Sequence, residues 1–394
     1  MKIILLTCLF SFTQLFGINN QKIVLEENDD IILTGAISIE INMTSEKLLI
    51  MDRSSKSVYL YSAKTGKLIN SFNVGIFLSD SLAYSGKEPY TWDFKNWEYI
   101  DRIELVEIGK ESLIKNLKNY INVSYFNYND DIMLGAVFYA VVKDMNGNEL
   151  QIDVSSGLIE LDKNMNIKNV TIIENNRRAF AQKIMTDFKD IIYVKTVNNT
   201  KADTTMIDLP SISRYDKNGF FIDNYEFLPQ FFTEQSIGYD VDSKPKFTFR
   251  GKELIYAYQY TEKIIFTETK KEIKLTDIGI SNKEKYATLS SEKKKQGFKF
   301  AIWDHFPVKL NKLYYNNNEL YVFLRIKYFE KRSYELLQIY DASNGKLLKQ
   351  TKVKALSTYH SYTLSKDFKH IYSFDLEDEN YVVRKTKVES LWEK

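Results

Sequence analysis

The chain carries a single cysteine, Cys8, in 394 residues. Cys8 lies in an N-terminal segment with the pattern of a cleavable leader, so the mature chain is expected to hold no cysteine. Disulfides, thiolate catalysis and cysteine-ligated zinc or iron–sulfur centres are then excluded. Histidine is almost as scarce: His305, His360 and His370 complete the set of 3. None falls in a His-Glu-x-x-His or paired spacing, which argues against a zinc hydrolase. There are only 5 prolines, and no Gly/Ser- or Pro-rich linker divides the chain. Neither charge sign dominates, with 54 Lys and Arg against 52 Asp and Glu. That balance gives no global polybasic surface, and nucleic acid is not an expected partner. No Gly-x-Ser-x-Gly elbow, phosphate loop or dinucleotide fingerprint occurs.

What the chain has in abundance is aromatic residues, 27 Tyr and 25 Phe. These, with Val and Ile, suit the pleated, half-buried surface of a strand. The start, MKIILLTCLFSFTQLFG, puts Lys2 before a short apolar core from Ile3 to Phe12. This is the pattern of a secretory signal peptide, residues 1–17, with cleavage expected after Gly17. It is too short to span a membrane, and no later run reaches that length, so the mature chain is expected to have no transmembrane segment. The expected location is outside the cytoplasm: periplasm, cell surface or medium.

The stretch VYLYSAKTGKLINSF, residues 58–72, has a distant echo in LQIYDASNGKLL, residues 337–348. Both read as apolar strand, polar turn with Gly, apolar strand, which is a hairpin. About six such units follow one another. They are Glu46–Phe72, Asn129–Val170, Asp187–Phe227, Arg250–Leu275, Asn316–Val353 and Asp367–Val388. The octapeptides DFKDIIYV and DFKHIYSF are an especially clear pair. The period-two alternation excludes helical solenoids. The spacing of roughly 50–80 residues suits a four-stranded propeller blade with insertions. The predicted fold is therefore all-β: a β-propeller of six four-stranded blades, with seven or eight as alternatives, over residues 18–394 as a single domain. Hairpin tips are expected at Thr65-Gly66, Asn218-Gly219 and Asn344-Gly345. Residues 20–45 are expected to supply a strand that joins the last blade. Short helical insertions are expected, one over residues 110–120 with Leu113, Ile114, Leu117 and Tyr120 on one face. Residues 282–296 read as a charged surface insertion.

The recurring hairpins, NNNELYVF as a blade-opening strand, and HFPVKLNKLYYNNNELYVF over residues 305–323 resemble secreted bacterial six-bladed β-propellers of the NHL-like and TolB-like kind. The resemblance implies an exported propeller, often a binding protein, and implies little about chemistry. SAKTGKLINSF is also similar to the quinoprotein propeller motif that ends Thr-Gly-Lys-x-x-Trp. Asn70 and Lys349 stand where its docking Trp belongs, which argues against a quinone cofactor.

Two loop clusters are the candidate ligand contacts: Trp92 and Asp93 in TWDF, and Trp303, Asp304 and His305 in IWDHFP. An exposed Trp beside a carboxylate can bind sugars or peptides by stacking and hydrogen bonding. The same residues also suit blade packing and a turn before Pro307. The acidic runs NDDIM, residues 129–133, and LEDEN, residues 376–380, offer hard oxygens for Ca²⁺ but lack a calcium-loop pattern. They suit solvated turns. The leading expectation is a non-enzymatic, exported propeller that binds a protein, peptide or glycan of the cell envelope through one rim, with no catalytic residues, resident metal or cofactor. The alternative is a calcium-dependent propeller hydrolase of lactonase or phosphoesterase type, with its site at the central channel.

Overall fold

The structure is a computed structural model. It describes residues 20–26, 33, 37–41, 46–52, 57–73, 118–126, 130–143, 149–173, 180–186, 191–197, 210–227, 245–259, 261–276, 278, 308–328, 331–353, 362–378 and 380–392. The leader therefore lies outside the described residues. No described helix is long and apolar enough to cross a membrane.

The described residues form 24 strands in six four-stranded antiparallel sheets. Five sheets are built from consecutive strands. The first holds β2 (Ile37–Ile41), β3 (Lys47–Asp52), β4 (Ser57–Ser62) and β5 (Leu68–Asn73). The second holds β6 (Lys118–Phe126), β7 (Ile132–Lys143), β8 (Glu149–Leu161) and β9 (Ile167–Ile173). The third holds β10 (Phe180–Thr186), β11 (Ile191–Val197), β12 (Pro210–Asp216) and β13 (Phe221–Phe227). The fourth holds β14 (Pro245–Arg250), β15 (Glu253–Tyr258), β16 (Lys263–Phe266) and β17 (Glu272–Lys274). The fifth holds β18 (Val308–Asn316), β19 (Glu319–Tyr328), β20 (Lys331–Asp341) and β21 (Leu347–Val353). The sixth joins the two ends of the chain: β22 (Tyr362–Leu364), β23 (His370–Glu377) and β24 (Asn380–Lys387), with β1 (Asn20–Val24) as its outer strand. β1 runs antiparallel to β24, from Asn20 opposite Thr386 to Val24 opposite Val382.

The quoted repeats coincide with the second, third and fourth strands of each sheet. In the last copy only two strands follow Asp367, and β1 supplies the missing one. Residues 110–117 and 282–296, where insertions were expected, lie outside the described residues. Residues 118–120 belong to β6, so the expected helix over 110–120 does not include Tyr120. At Tyr120, pairing with Val137 of β7 decides for strand. The helix among the described residues is a single 3₁₀ turn, Glu389–Leu391.

The chain divides into two units, residues 1–72 with 355–394, and residues 73–354. In the first unit, sheets β2–β5 and β22–β24–β1 share one core. Ile23 and Leu25 of the β1 segment pack with Leu48, Ile50, Tyr59, Tyr61, Tyr372 and Phe374. In the second, sheets β14–β17 and β18–β21 share another. Ile255, Ala257, Phe266, Ile273 and Leu275 meet Val308, Leu310, Leu324, Leu336 and Tyr340.

The hairpins that join third to fourth strands use two closures. In the longer closure, Ser62 N–H donates to Lys67 O (2.9 Å), Phe266 N–H to Lys271 O (2.9 Å) and Asp341 N–H to Lys346 O (2.9 Å). The fifth residue of each has positive φ: Gly66 at 73°, Lys270 at 52° and Gly345 at 77°. In the shorter closure, Asp162 N–H donates to Asn166 O (2.8 Å) and Asp216 N–H to Phe220 O (3.0 Å), with Met165 and Gly219 at positive φ. Except where Phe266 opens the turn, the side chain of the opening residue accepts orphaned amides of the turn. Asp216 Oδ1 takes Asn218 N–H at 2.8 Å and Phe220 N–H at 2.9 Å, and Asp162 repeats this with Asn164 and Asn166. The three expected tips thus lie in such turns.

Tip and neighbouring outer strand meet in the same way in both units. Ile23 of β1 lies beside Gly66, and Ile273 of β17 lies beside Gly345. This repeated contact shows that the sheets dock by a common device.

Candidate binding edge of the sheets

In a four-stranded antiparallel sheet with strands in chain order, the turns after strands one and three leave one edge. The turns after strands two and four leave the other. At the first edge the connections are tight. Asn317–Asn318 joins β18 to β19, with both residues at positive φ as a type I′ hairpin turn requires. Gly251–Lys252 joins β14 to β15. At the second edge lie the long connections: residues 74–117, 228–244 and 275–307 each run from a fourth strand to the next first strand, with the shorter 174–179 and the two-residue turn 329–330 at the same edge. Trp92 and Asp93 belong to connection 74–117, and Trp303, Asp304 and His305 to connection 275–307. All five lie outside the described residues. Connectivity puts both clusters on connections of the same type.

The described roots of connection 275–307 are pinned at both ends. At its start, Thr276 N–H donates to Tyr340 Oη (3.0 Å), and Thr276 O accepts from Gln338 Nε2 (2.7 Å). Tyr340 Oη donates onward to Gln338 Oε1 at 2.9 Å, and Gln338 Nε2 also reaches Gln350 Oε1 at 2.6 Å. Gln338 and Tyr340 are fully buried. At the far end, Leu310 N–H donates to the carbonyl of Gln259 (2.7 Å). The Gln259 side chain is buried, and its Oε1 has no hydrogen-bond partner. Tyr340→Phe is expected to leave the Thr276 amide and Gln338 Oε1 short of a partner, lowering stability by about 1–3 kcal/mol. Urea unfolding with an unchanged m-value checks it.

On the opposite face of sheet β18–β21, Glu335 is buried near the same edge. Its Oε1 accepts from Asn311 Nδ2 at 3.0 Å and from Arg325 Nη2 at 3.4 Å. Strands β18, β19 and β20 each contribute one member, with Arg325 directly opposite Glu335 in the ladder. A buried carboxylate is tolerable only with such partners. The arrangement holds the guanidinium of Arg325 in a set orientation at the edge.

A second buried carboxylate, Glu253, sits at the tight edge. Burial raises its pKa, but the Thr269 N–H and hydroxyl, both at 3.0 Å, and Arg250 outweigh that and hold it below the ordinary value. A carboxylate depressed in the folded state contributes stability that is complete above its unfolded pKa. That stability is lost as the pH falls through the folded value. Glu253→Gln is therefore expected to cost about 1–3 kcal/mol at pH 7 and to flatten the acid side of the stability profile. Melting temperatures from pH 7 to pH 2 test this.

The acidic runs become turns. Asp131 pairs with Lys168 Nζ at 3.0 Å, which also bonds Glu160 at 2.7 Å. Glu377 pairs with Asn380 across a two-residue turn, with Asp378 at positive φ, and its carboxylate meets Lys22 at 3.3 Å and Arg384. Among the described residues no group of three His, Cys, Asp or Glu side chains is placed to hold a metal ion. His370 is described: its backbone N–H, not its ring, donates to Ser365 Oγ at 3.0 Å, and Ser365 Oγ donates to Asp367 at 2.5 Å. Ser365, Asp367 and His370 thus lock the β22–β23 turn and do not form a catalytic triad. His360 lies outside the described residues.

Sequence reasoning missed Gln338, Tyr340, Arg325 and Glu335. Only Tyr340 left a trace: a tyrosine precedes the turn in YSAKTG, YDKNG and YDASNG, and Tyr61, Tyr215 and Tyr340 are all buried.

No protein-family model matches the sequence, nor does any curated protein. Solved structures do resemble the fold. A Bacteroides fragilis protein assigned as exported superposes with a TM-score of 0.50 at 10% identity, over 94% of this chain and 95% of that one. A Bacteroides caccae protein of unknown function gives 0.41 at 9% identity, over 80% and 81%. The PQQ-bound aldose sugar dehydrogenase of Streptomyces coelicolor gives 0.41 at 10% identity, over 94% and 99%. At such identities the likeness is one of fold and transfers no activity. Sequential four-stranded antiparallel sheets, one of them completed by the N-terminal strand, define the class: the protein is a β-propeller.

Proposed function

We propose that this protein is an exported, six-bladed β-propeller that binds a protein, peptide or glycan of the cell envelope. The contacts are made by the connections from fourth to first strands. One observation carries the reading: the turns at one edge of the sheets hold five residues or fewer, and the longer connections all leave the other edge, beside short turns such as residues 329–330. A rigid sheet scaffold that presents long loops on one side is the usual arrangement of a binding face. Trp92, Asp93, Trp303, Asp304 and His305 are the proposed contacts. The anchoring of Thr276 and Leu310 supports it, because a loop pinned at both roots loses less entropy on binding. The leader-like start supports export.

The test is an array of envelope glycans and peptides probed with the wild type and a Trp92→Ala/Trp303→Ala variant. Loss of binding at an unchanged melting temperature is expected. Full retention of binding by the variant overturns the assignment of these loops. Export is tested separately by fusing residues 1–17 to a reporter active only outside the cytoplasm.

A further inference from the structure

Sheet β18–β21 is electrically lopsided along its strands. In the half next to the long connections, β18 carries Lys309 and Lys312, β19 carries Arg325 and Lys327, β20 carries Lys331 and Arg332, and β21 carries Lys352. Glu335 is the one acidic residue within these strand segments, and Glu330 lies in the sequence between β19 and β20 at the same end. The half next to the tight turns has Glu319 and Asp341 against Lys349. The whole chain has a net charge of only +2, so the cation excess at this end is offset by acidic residues elsewhere in the sequence. An aromatic ring lies among the cations: Tyr334 in β20 has Lys352 Nζ 4.9 Å from its ring centroid. The large hydrophobic side chains that are exposed among the described residues, such as Phe220, Ile222 and Leu376, lie on other sheets or, for Leu348, at the tight-turn end. This end therefore offers no described apolar wedge for a lipid bilayer.

We propose that this end of sheet β18–β21 docks a carboxylate-bearing polysaccharide, an inference that rests on the binding edge proposed above. Lysine and arginine attract and pair the uronate carboxylates, and a guanidinium held in orientation suits them best. Tyrosine faces accept the apolar faces of sugar rings. Arg325, oriented by Glu335 and Asn311, lies within this half of the sheet.

The experiment is affinity electrophoresis of the full chain through gels containing alginate, a polyuronate, with neutral dextran, dextran sulfate and double-stranded DNA as comparators. Alginate is expected to retard the wild type, and dextran is not. A Lys327→Glu/Lys331→Glu/Lys352→Glu variant is expected to bind about tenfold or more weakly, the effect of opposing rather than complementary charge. A Lys346→Glu/Lys349→Glu variant, altered at the other end of the same sheet, is expected to bind as the wild type does. Thermal melts check that both variants fold. Absence of retardation by alginate, equal retardation of the triple variant, or equal binding to dextran sulfate or DNA overturns the proposal. A chain that alginate does not retard, yet whose array binding depends on Trp92 and Trp303, discards the polyuronate and leaves the binding edge standing.

Discussion

Replacing Gly66 by alanine is expected to be among the most damaging single changes in the described structure. Gly66 has φ 73°, a left-handed conformation that costs an L-residue about 1–2 kcal/mol. A Cβ there would also sit 1.9 Å from the carbonyl oxygen of Val24. That oxygen is backbone and belongs to the strand that completes the C-terminal sheet, so it cannot swing aside as a side chain can. The residues that follow are tied to the same turn: Glu26 N–H donates to Gly66 O at 2.8 Å, and Leu68 N–H donates to Glu26 Oε2 at 2.9 Å. Gly66→Ala must therefore push the end of β1 away from the hairpin. A loss of more than about 3 kcal/mol is expected, in the range reserved for overpacking and strain together. Gly251→Ala is the internal control. Gly251 has φ 60° with no neighbouring atom within 4 Å of its virtual Cβ, so only the conformational cost of about 1–2 kcal/mol applies. Gly345→Ala falls between, because its Cβ would meet the movable Ile273 side chain at 3.3 Å. Urea denaturation of the three variants should give that order. Equal losses would show that the contact with Val24 is unimportant.

Removing residues 20–26 is expected to have an even larger effect, confined at first to the unit of residues 1–72 and 355–394. Ile23 and Leu25 are each 3% exposed, and burying two such side chains stabilises by about 3–6 kcal/mol in all. The deletion also strips β24 of its partner along five residue pairs. An exposed edge of Tyr381, Val382 and Val383 is a template for pairing with other chains. The deleted chain should therefore lose cooperativity in unfolding and aggregate more readily than the full chain. Light scattering and a denaturation curve followed by two probes would show both. A truncated chain that unfolds in one transition at the wild-type midpoint would remove β1 from its role as a structural closure.

The hairpins were legible in the sequence because their chemistry is local. A turn needs a residue that tolerates positive φ and a side chain that accepts stranded amides. Gly66, Gly219 and Gly345, with Ser62, Asp216 and Asp341, announce both within a few positions. The turn at Lys270 carries neither signal, and its copy of the repeat was accordingly the faintest. The first strand of each sheet was harder to read. ISIEI of β2 and the three residues of β22 are too short to set a period of two against background. Residues 118–120 looked helical because Leu113, Ile114, Leu117 and Tyr120 share a helical spacing. Pairing with β7 decided otherwise.

By itself, the sequence determined the all-β class, the repeated hairpin and the positions of its tips, since alternation and turn chemistry act over fewer than ten residues. It also marked residues 20–45 as the source of a strand for the last sheet, on the architectural ground that a ring of blades must be closed. Only the tertiary structure decided which strand that was, and that Val24 would press against Gly66 from across the chain. The tie of Thr276 to Tyr340 and Gln338, and the holding of Arg325 by Glu335 and Asn311, were likewise settled by folding. Partners 42 or 64 residues apart leave no periodic mark, because each such contact is chosen by the register of two sheets and not by any neighbour in the sequence.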